Sequence, residues 1–266
     1  MAKTPNIGHS LNAALAAQTV TLAAGETANL FVSLEAGTRL RALRLELGAG
    51  AVCDCTVLQA LPAGESAEIE LSSELAGGSE VRWHLVSVGG GEVHQTLRSH
   101  LAGPDAKSSV DWIALADDGQ RLRITAENIF DGPRGGGETA MRLAAKGRGR
   151  IDAHGLIEIG EHGGGTQTYL SQKALMLDPQ ARIEAVPALE IRTNDVRASH
   201  GATVTRLTAE DVFACAARGI APAEARTMLT EGFLQELLSR VPEAHRERAR
   251  ALLLPEEREV VCRECL

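Results

Sequence analysis

The sequence predicts a mainly β chain that closes with a small α-helical segment. Three observations carry this. Glycine-bearing turns recur every dozen or so residues, the segments between them alternate apolar and polar side chains, and this grammar gives way to a helical one at Thr208.

From about Val20 to Gly103 the turns fall at Gly25, Gly37, Gly48, Gly64, Gly77, Gly90 and Gly103. Between them Leu43, Leu45 and Leu47 share one face and Arg44 and Glu46 the other, the two-residue period of a half-buried strand. Val81–Leu85, Arg121–Ile124, Arg150–Asp152 and Gly155–Ile159 repeat it, with loops expected at Gly135–Gly137 and Gly163–Gly165. Short strands at this spacing fit a sandwich, a barrel or a stacked β-solenoid equally well. The first ~18 residues, Ala-rich but broken by Asn12 and Gln18, are open to a helical or an irregular cap.

At Thr208 a capping-box pattern, Thr208-Ala209-Glu210-Asp211, begins a helix that Arg218-Gly219 ends. Pro222 opens a second helix, in which Ala225, Met228, Leu229, Gly232, Phe233, Leu237 and Val241 form one apolar stripe up to Pro242. A third, over about 243 to 254, is expected to close Leu252, Leu253 and Leu254 over that stripe. The chain therefore divides into a β core, 1–206, and a helical segment, 207–266. Such an appendage either caps the end of a solenoid or docks a partner, and pattern alone leaves both open.

Composition narrows the function. With 266 residues and 44% hydrophobic content the chain can bury a real core, while 3% aromatics and 27 glycines favour thin aliphatic packing around tight turns. A net charge of −8 argues against nucleic acid and anionic membranes as partners. The run His245–Arg250, interleaved with Glu247, reads as a solvated helix face. No apolar run reaches the ~18–20 residues that span a bilayer, so a cytoplasmic location is expected. Five cysteines, an odd number, point to reduced thiols.

Residues 187–203, reading PALEIRTNDVRASHGAT, closely resemble the signature of SufB/SufD family proteins. Asp211-Val212-Phe213, Ala217-Arg218-Gly219-Ile220, Glu224-Ala225-Arg226 and Gly232-Phe233 follow like that family's helical pattern. Phe130-Asp131-Gly132, Thr166-Gln167-Thr168 and 171–177 are weaker upstream matches. The resemblance implies a right-handed parallel β-helix with a C-terminal helical segment. It implies a non-catalytic scaffold of SUF-type iron–sulfur cluster assembly, pairing through its β-helix with itself or a SufB-type subunit. A SufC-like ABC ATPase would sit on the helices at Phe213, Arg218, Gly219, Met228, Gly232, Phe233 and Leu237. No lysine follows a glycine, so the chain has no Gly-Lys-Ser/Thr phosphate loop, and ATP hydrolysis is expected in the partner.

His200 resembles the family histidine associated with a transient iron–sulfur cluster, and a neutral imidazole can ligate iron. Glu190 and Asp195 lie in the same motif as candidate ligands or orienting carboxylates. His200-Gly201 is the SufD-like pairing, and Gln172 stands where SufB-type members carry cysteine. Cys53 and Cys55 share a strand face, close enough to share a metal but without further ligands, so burial is the expected reading. Cys215 is expected to pack in the first helix. Cys262 and Cys265 form a CxxC open to a metal or redox role. His154, Glu158 and His162 read as solvent-facing. Two other functions stay in view: a β-helical enzyme of acyltransferase or lyase type, and a structural homodimer without cluster chemistry.

Overall fold

A computed structural model describes residues 16–254. Fourteen strands wind into a solenoid of two parallel sheets. One sheet holds β1 (Ala17–Leu22), β3 (Ala42–Leu47), β5 (Ala67–Leu75), β7 (Glu92–Leu101), β9 (Arg121–Phe130), β11 (Arg150–Ile159) and β13 (Arg182–Ile191). The other holds β2 (Thr27–Leu34), β4 (Val52–Leu61), β6 (Glu80–Gly89), β8 (Lys107–Ala116), β10 (Gly136–Ala145), β12 (Gln167–Met176) and β14 (Arg197–Arg206). Each coil contributes one strand to each sheet. Every strand therefore pairs with the strand two places along, in parallel, and this selects the solenoid from the architectures that the pattern left open.

Coil length varies, with register partners 25 positions apart at Ala17 and Ala42 and 32 apart at Arg150 and Arg182. In-register stacking places inward side chains in rows along the axis. One row runs Leu22, Leu47, Leu75, Leu101, Phe130, Ile159 and Ile191. Another mixes in polar groups, and there Ser73 Oγ donates to Ser99 Oγ at 2.9 Å. Asn128 accepts from Ser108 and donates to Thr139, both at 2.9 Å, which keeps these buried groups satisfied.

One corner repeats a left-handed residue in six successive coils, at Gly25, Gly50, Gly78, Asp105, Arg134 and Gly165. Each donates its backbone N–H to a carbonyl of the following coil. The two non-glycine members carry the usual penalty of that conformation. They sit one above the other, and Arg134 Nε and Nη2 grip Asp105 Oδ1 and Oδ2 at 2.8 and 2.6 Å. This forked pair offsets part of the strain.

The local expectations need small corrections. Residues 150–159 form one strand with Gly155 inside it, and Gly136 and Gly137 begin β10 instead of lying in a loop. Ala17 and Gln18 already belong to β1, and the rest of the expected N-terminal cap lies outside the described residues.

Three helices follow: α1 (Ala209–Ala216), α2 (Pro222–Leu238) and α3 (Glu243–Leu253). Thr208 and Asp211 complete the capping box of α1. The helices do not cap the solenoid end. Instead α2 and α3 lie along the outer face of the even-numbered sheet, burying Leu234, Leu237, Leu238, Val241, Ala249 and Leu253 against Leu58, Val86, Ile113, Leu115, Ala140 and Ala144. The buried side of α2, with Val241 just past its end, keeps Ala225 and Leu237 of the predicted stripe and adds Thr230, Leu234 and Leu238, while Met228 and Gly232 face out. At ~1.5–3 kcal/mol for each large aliphatic removed from water, this seam outweighs the ion pairs at its rim, worth ~0–1 kcal/mol each where exposed. Those pairs fix the position. Arg142, almost fully buried, bonds Glu236, Arg240 reaches Asp111 at 2.9 Å, Arg248 reaches Glu35, and His245 stacks on Phe31 at 4.1 Å.

A Cβ at Gly103 would lie 2.1 Å from the backbone nitrogen of Gly77 in the preceding coil, whereas one at Gly119 would meet nothing within 4 Å. Gly103→Ala should cost more than about 3 kcal/mol by forcing two coils apart, and Gly119→Ala, with φ at 76°, only about 1–2 kcal/mol. Paired thermal melts decide this, and equal losses would refute the stacking geometry.

His100 is held between Glu74, 2.7 Å from Nδ1, and Asp131, 2.8 Å from Nε2. Burial disfavours the charged ring, but the bonds to Asp131 and Glu74 outweigh it and raise its pKa above the ordinary value. The clamp therefore stabilises the fold fully below the unfolded histidine pKa and loses that contribution as pH rises through the raised folded value. NMR titration should find His100 above about 6.5 in the native protein and lower in Asp131→Asn.

Candidate functional site

The last coil is where the regular repeat stops. No strand pairs with the outer edges of β13 and β14 among the described residues. Their core-facing side chains have neighbours on the preceding coil only. Ile183, Ala185 and Leu189 of β13 pack back onto the core but stay half-buried, and Ile191, the end of the Leu22–Ile159 row, is 42% exposed. Ala202 and Val204 of β14 are exposed although their row partners Gln172 and Ala174 are fully buried. The solenoid thus ends in an apolar core cross-section flanked by two unpaired edges, a surface that invites another chain.

His200 sits in this cross-section. Its register partner Leu170 is a core residue, so the imidazole belongs to the inward rank of β14 and is exposed because no further coil follows among the described residues. Glu190 pairs in register with Glu158 and belongs to the outward rank of β13, on the lateral face of the other sheet. Asp195 lies in the turn between the strands, where its carbonyl accepts the Gly165 N–H at 2.6 Å. The three motif residues therefore do not converge. Among the described residues no group of three or more His, Cys, Asp or Glu could hold a metal ion. Among the described residues, the open end carries one imidazole, that of His200.

Gln172 lies one coil inside, fully buried. Its Nε2 is 3.5 Å from Met141 Sδ, and its Oε1 has no hydrogen-bond partner. Cys53 and Cys55 face the core far from this end and are fully buried. Burial, with the nearby Asp54 charge, pushes the Cys53 thiol up to about 12, and burial drives Cys55 well above the ordinary value. Cys215 is half-buried in α1, while Cys262 and Cys265 lie outside the described residues. His154 and His162 are exposed, and Glu158 pairs with Arg192 at 3.2 Å.

The helical unit presents a second surface. α1 buries no residue, and Phe213 on it is 72% exposed; Met228 on α2 is 44% exposed. Arg218 bonds back to the Ala214 carbonyl, Gly219 ends the turn at φ 84°, and Gly232 has open space around it. Leu237 differs from these: it is wholly buried against the solenoid, and Phe233 is half-buried beside it, so both hold the helices to the sheet.

The profile of the SufBD core domain of SUF-system FeS cluster assembly matches residues 7–233. The chain belongs to the SufBD family. An iron–sulfur cluster assembly SufBD family protein of Mycobacterium leprae is 26% identical over 165 residues, which cover 62% of this chain and 19% of that protein. SufBD family proteins of Staphylococcus epidermidis and Staphylococcus aureus are each 26% identical over 142 residues, 53% of this chain and 30% of theirs. The chain thus aligns with between a fifth and a third of the length of these relatives.

Within this SufBD core the sequence identified the motif but not its geometry. Nothing in the spacing of Glu190, Asp195 and His200 tells that two strands of opposite sheets carry them. The alternation Ile183, Ala185, Leu189, Ile191 was available, yet it signals a core face without telling that no coil covers it.

Iodoacetamide at pH 8 should leave Cys53 and Cys55 unmodified in the native protein and alkylate both after denaturation, because a pKa near 12 leaves almost no thiolate. Peptide mapping checks this. Modification of either in the folded state would contradict the burial described above.

Proposed function

We propose that this SufBD core acts as a non-catalytic scaffold for iron–sulfur cluster assembly, with the cluster as cargo built where its open coil meets a second subunit. The observation that carries this reading is the end of the described solenoid: among the described residues, two ten-residue strand edges are unpaired around an apolar cross-section in which His200 is the one imidazole. A second subunit, either another copy or a SufB-type chain, would pair with these edges and bring ligands beyond the one that the described residues place there. His200 would supply one nitrogen ligand to the nascent cluster.

The second part of the proposal concerns the helices. A SufC-like ABC ATPase would dock on the face of α1 and α2 that carries Phe213 and Met228, since those side chains are left uncovered while Leu234, Leu237 and Leu238 are used internally. The chain has no phosphate loop of its own, so nucleotide-driven movement would come from that partner. The Arg142–Glu236 and Arg240–Asp111 contacts would pass movement of the helices to the solenoid wall. Gln172 gives weight to a second reading, a structural dimer without cluster chemistry, because a buried amide cannot serve as the sulfur-carrying thiolate of SufB-type members.

Anaerobic purification from the native host, followed by iron and sulfide analysis, separates these readings. The scaffold predicts an associated ABC ATPase, lost in Phe213→Asp, and cluster iron, lost in His200→Ala. Both variants should melt within about 0.5 kcal/mol of wild type because both sites are exposed. Absence of the ATPase from wild-type preparations would sink the docking proposal. Wild-type iron in His200→Ala would sink the ligand role.

A further inference from the structure

We infer that the seam between the helices and the solenoid is a binding site for a small anionic amphiphile: one carboxylate on a short unbranched hydrocarbon tail. A cavity of about 320 Å³ opens there, large enough for a small ligand. It lies on the lateral wall, where the first turns of α2 and the end of α3 pass the ends of β8, β10 and β12.

The floor is aliphatic. Leu115, Leu177 and Leu253 are buried, and Leu254 closes one side. Thr230 also lines the cavity, but its hydroxyl already donates to the Arg226 carbonyl at 2.7 Å. Such a lining favours a hydrocarbon and offers little to a sugar or a nucleobase.

The mouth carries two cations. Lys146 and Arg226 reach it from different elements, one after β10 and one on α2. Each already has an acidic neighbour: Lys146 Nζ lies 2.8 Å from Asp117, and Arg226 Nη1 lies 3.2 Å from Asp178 and 2.8 Å from the Leu177 carbonyl. Donors nevertheless remain. Both Arg226 bonds use Nη1, which leaves Nε and Nη2 for an incoming carboxylate, and an ammonium carries three protons. Asp178 is itself engaged, accepting the Gly147 N–H at 2.7 Å through its other oxygen. The lining itself holds two cations and one carboxylate, and Asp117 pairs with Lys146 from outside it, so what the mouth offers an anion is these unused donors and not a surplus of charge. Asp178 at the rim disfavours a dianion, so a monocarboxylate fits better than a phosphate monoester.

Isothermal titration of the full chain with octanoate, and with octan-1-ol as the uncharged control, tests this. Octanoate should bind saturably at one site. Lys146→Gln with Arg226→Gln should weaken it by about tenfold and leave any octanol binding unchanged. Leu254→Trp fills the cavity from one wall and should abolish binding; Ala223→Leu narrows it from the exposed first turn of α2 and should do the same without disturbing the seam. Circular dichroism and melting confirm that each variant is folded. Failure of octanoate to saturate the wild type, equal affinity for octanol, or unchanged octanoate binding in folded Ala223→Leu would each overturn the proposal.

Discussion

Parallel pairing between coils is the constraint on which everything else depends. Each strand satisfies its backbone through the coil before and the coil after, so a core of thin aliphatic rows suffices even with 3% aromatic residues. The same rule has an unavoidable boundary. A stack of coils has a last member, and among the described residues its outer N–H and C=O groups, like its core side chains, meet no further coil. The surface richest in potential for pairing is thus a direct result of how the body is held together.

The helices respond to a different demand. Leu58, Val86, Ile113 and Leu115 give the outer face of one sheet an apolar strip that could not remain in water, and α2 and α3 cover it. Their use as a lateral cover explains why the end of the solenoid stays open and why α1, with no sheet beneath it, keeps Phe213 exposed. The cavity lies at the same seam, lined by α2 and α3 on one side and by the ends of the strands on the other.

Much of the architecture was legible in the chain. Alternation at Leu43–Leu47 and Val81–Leu85 identified strands because one face of each is buried, and the capping box at Thr208 marked the helical turnover to the residue. Periodicity could not distinguish a solenoid from a sandwich, since both bury alternate residues; the SufB/SufD-like motif made that choice. The apolar side of α2 was placed in part: Ala225, Leu237 and Val241 are buried, but Met228 is as hydrophobic as Leu234 and Leu238, and only the shape of the sheet selects between them. The site was legible in residue type but not in arrangement. Glu190 and His200 are neighbours in the motif, yet a turn carries the chain from one sheet to the other between them and sends their side chains to different surfaces.

The contact between Arg248 and Glu35 joins positions 213 residues apart. Strand β2 can pair with β4 just one coil along, but the cation that ties α3 to the coil of Glu35 lies 213 residues further along the chain. The lateral clasp of α3 is thus a long-range contact laid over coils that are already held by their neighbours.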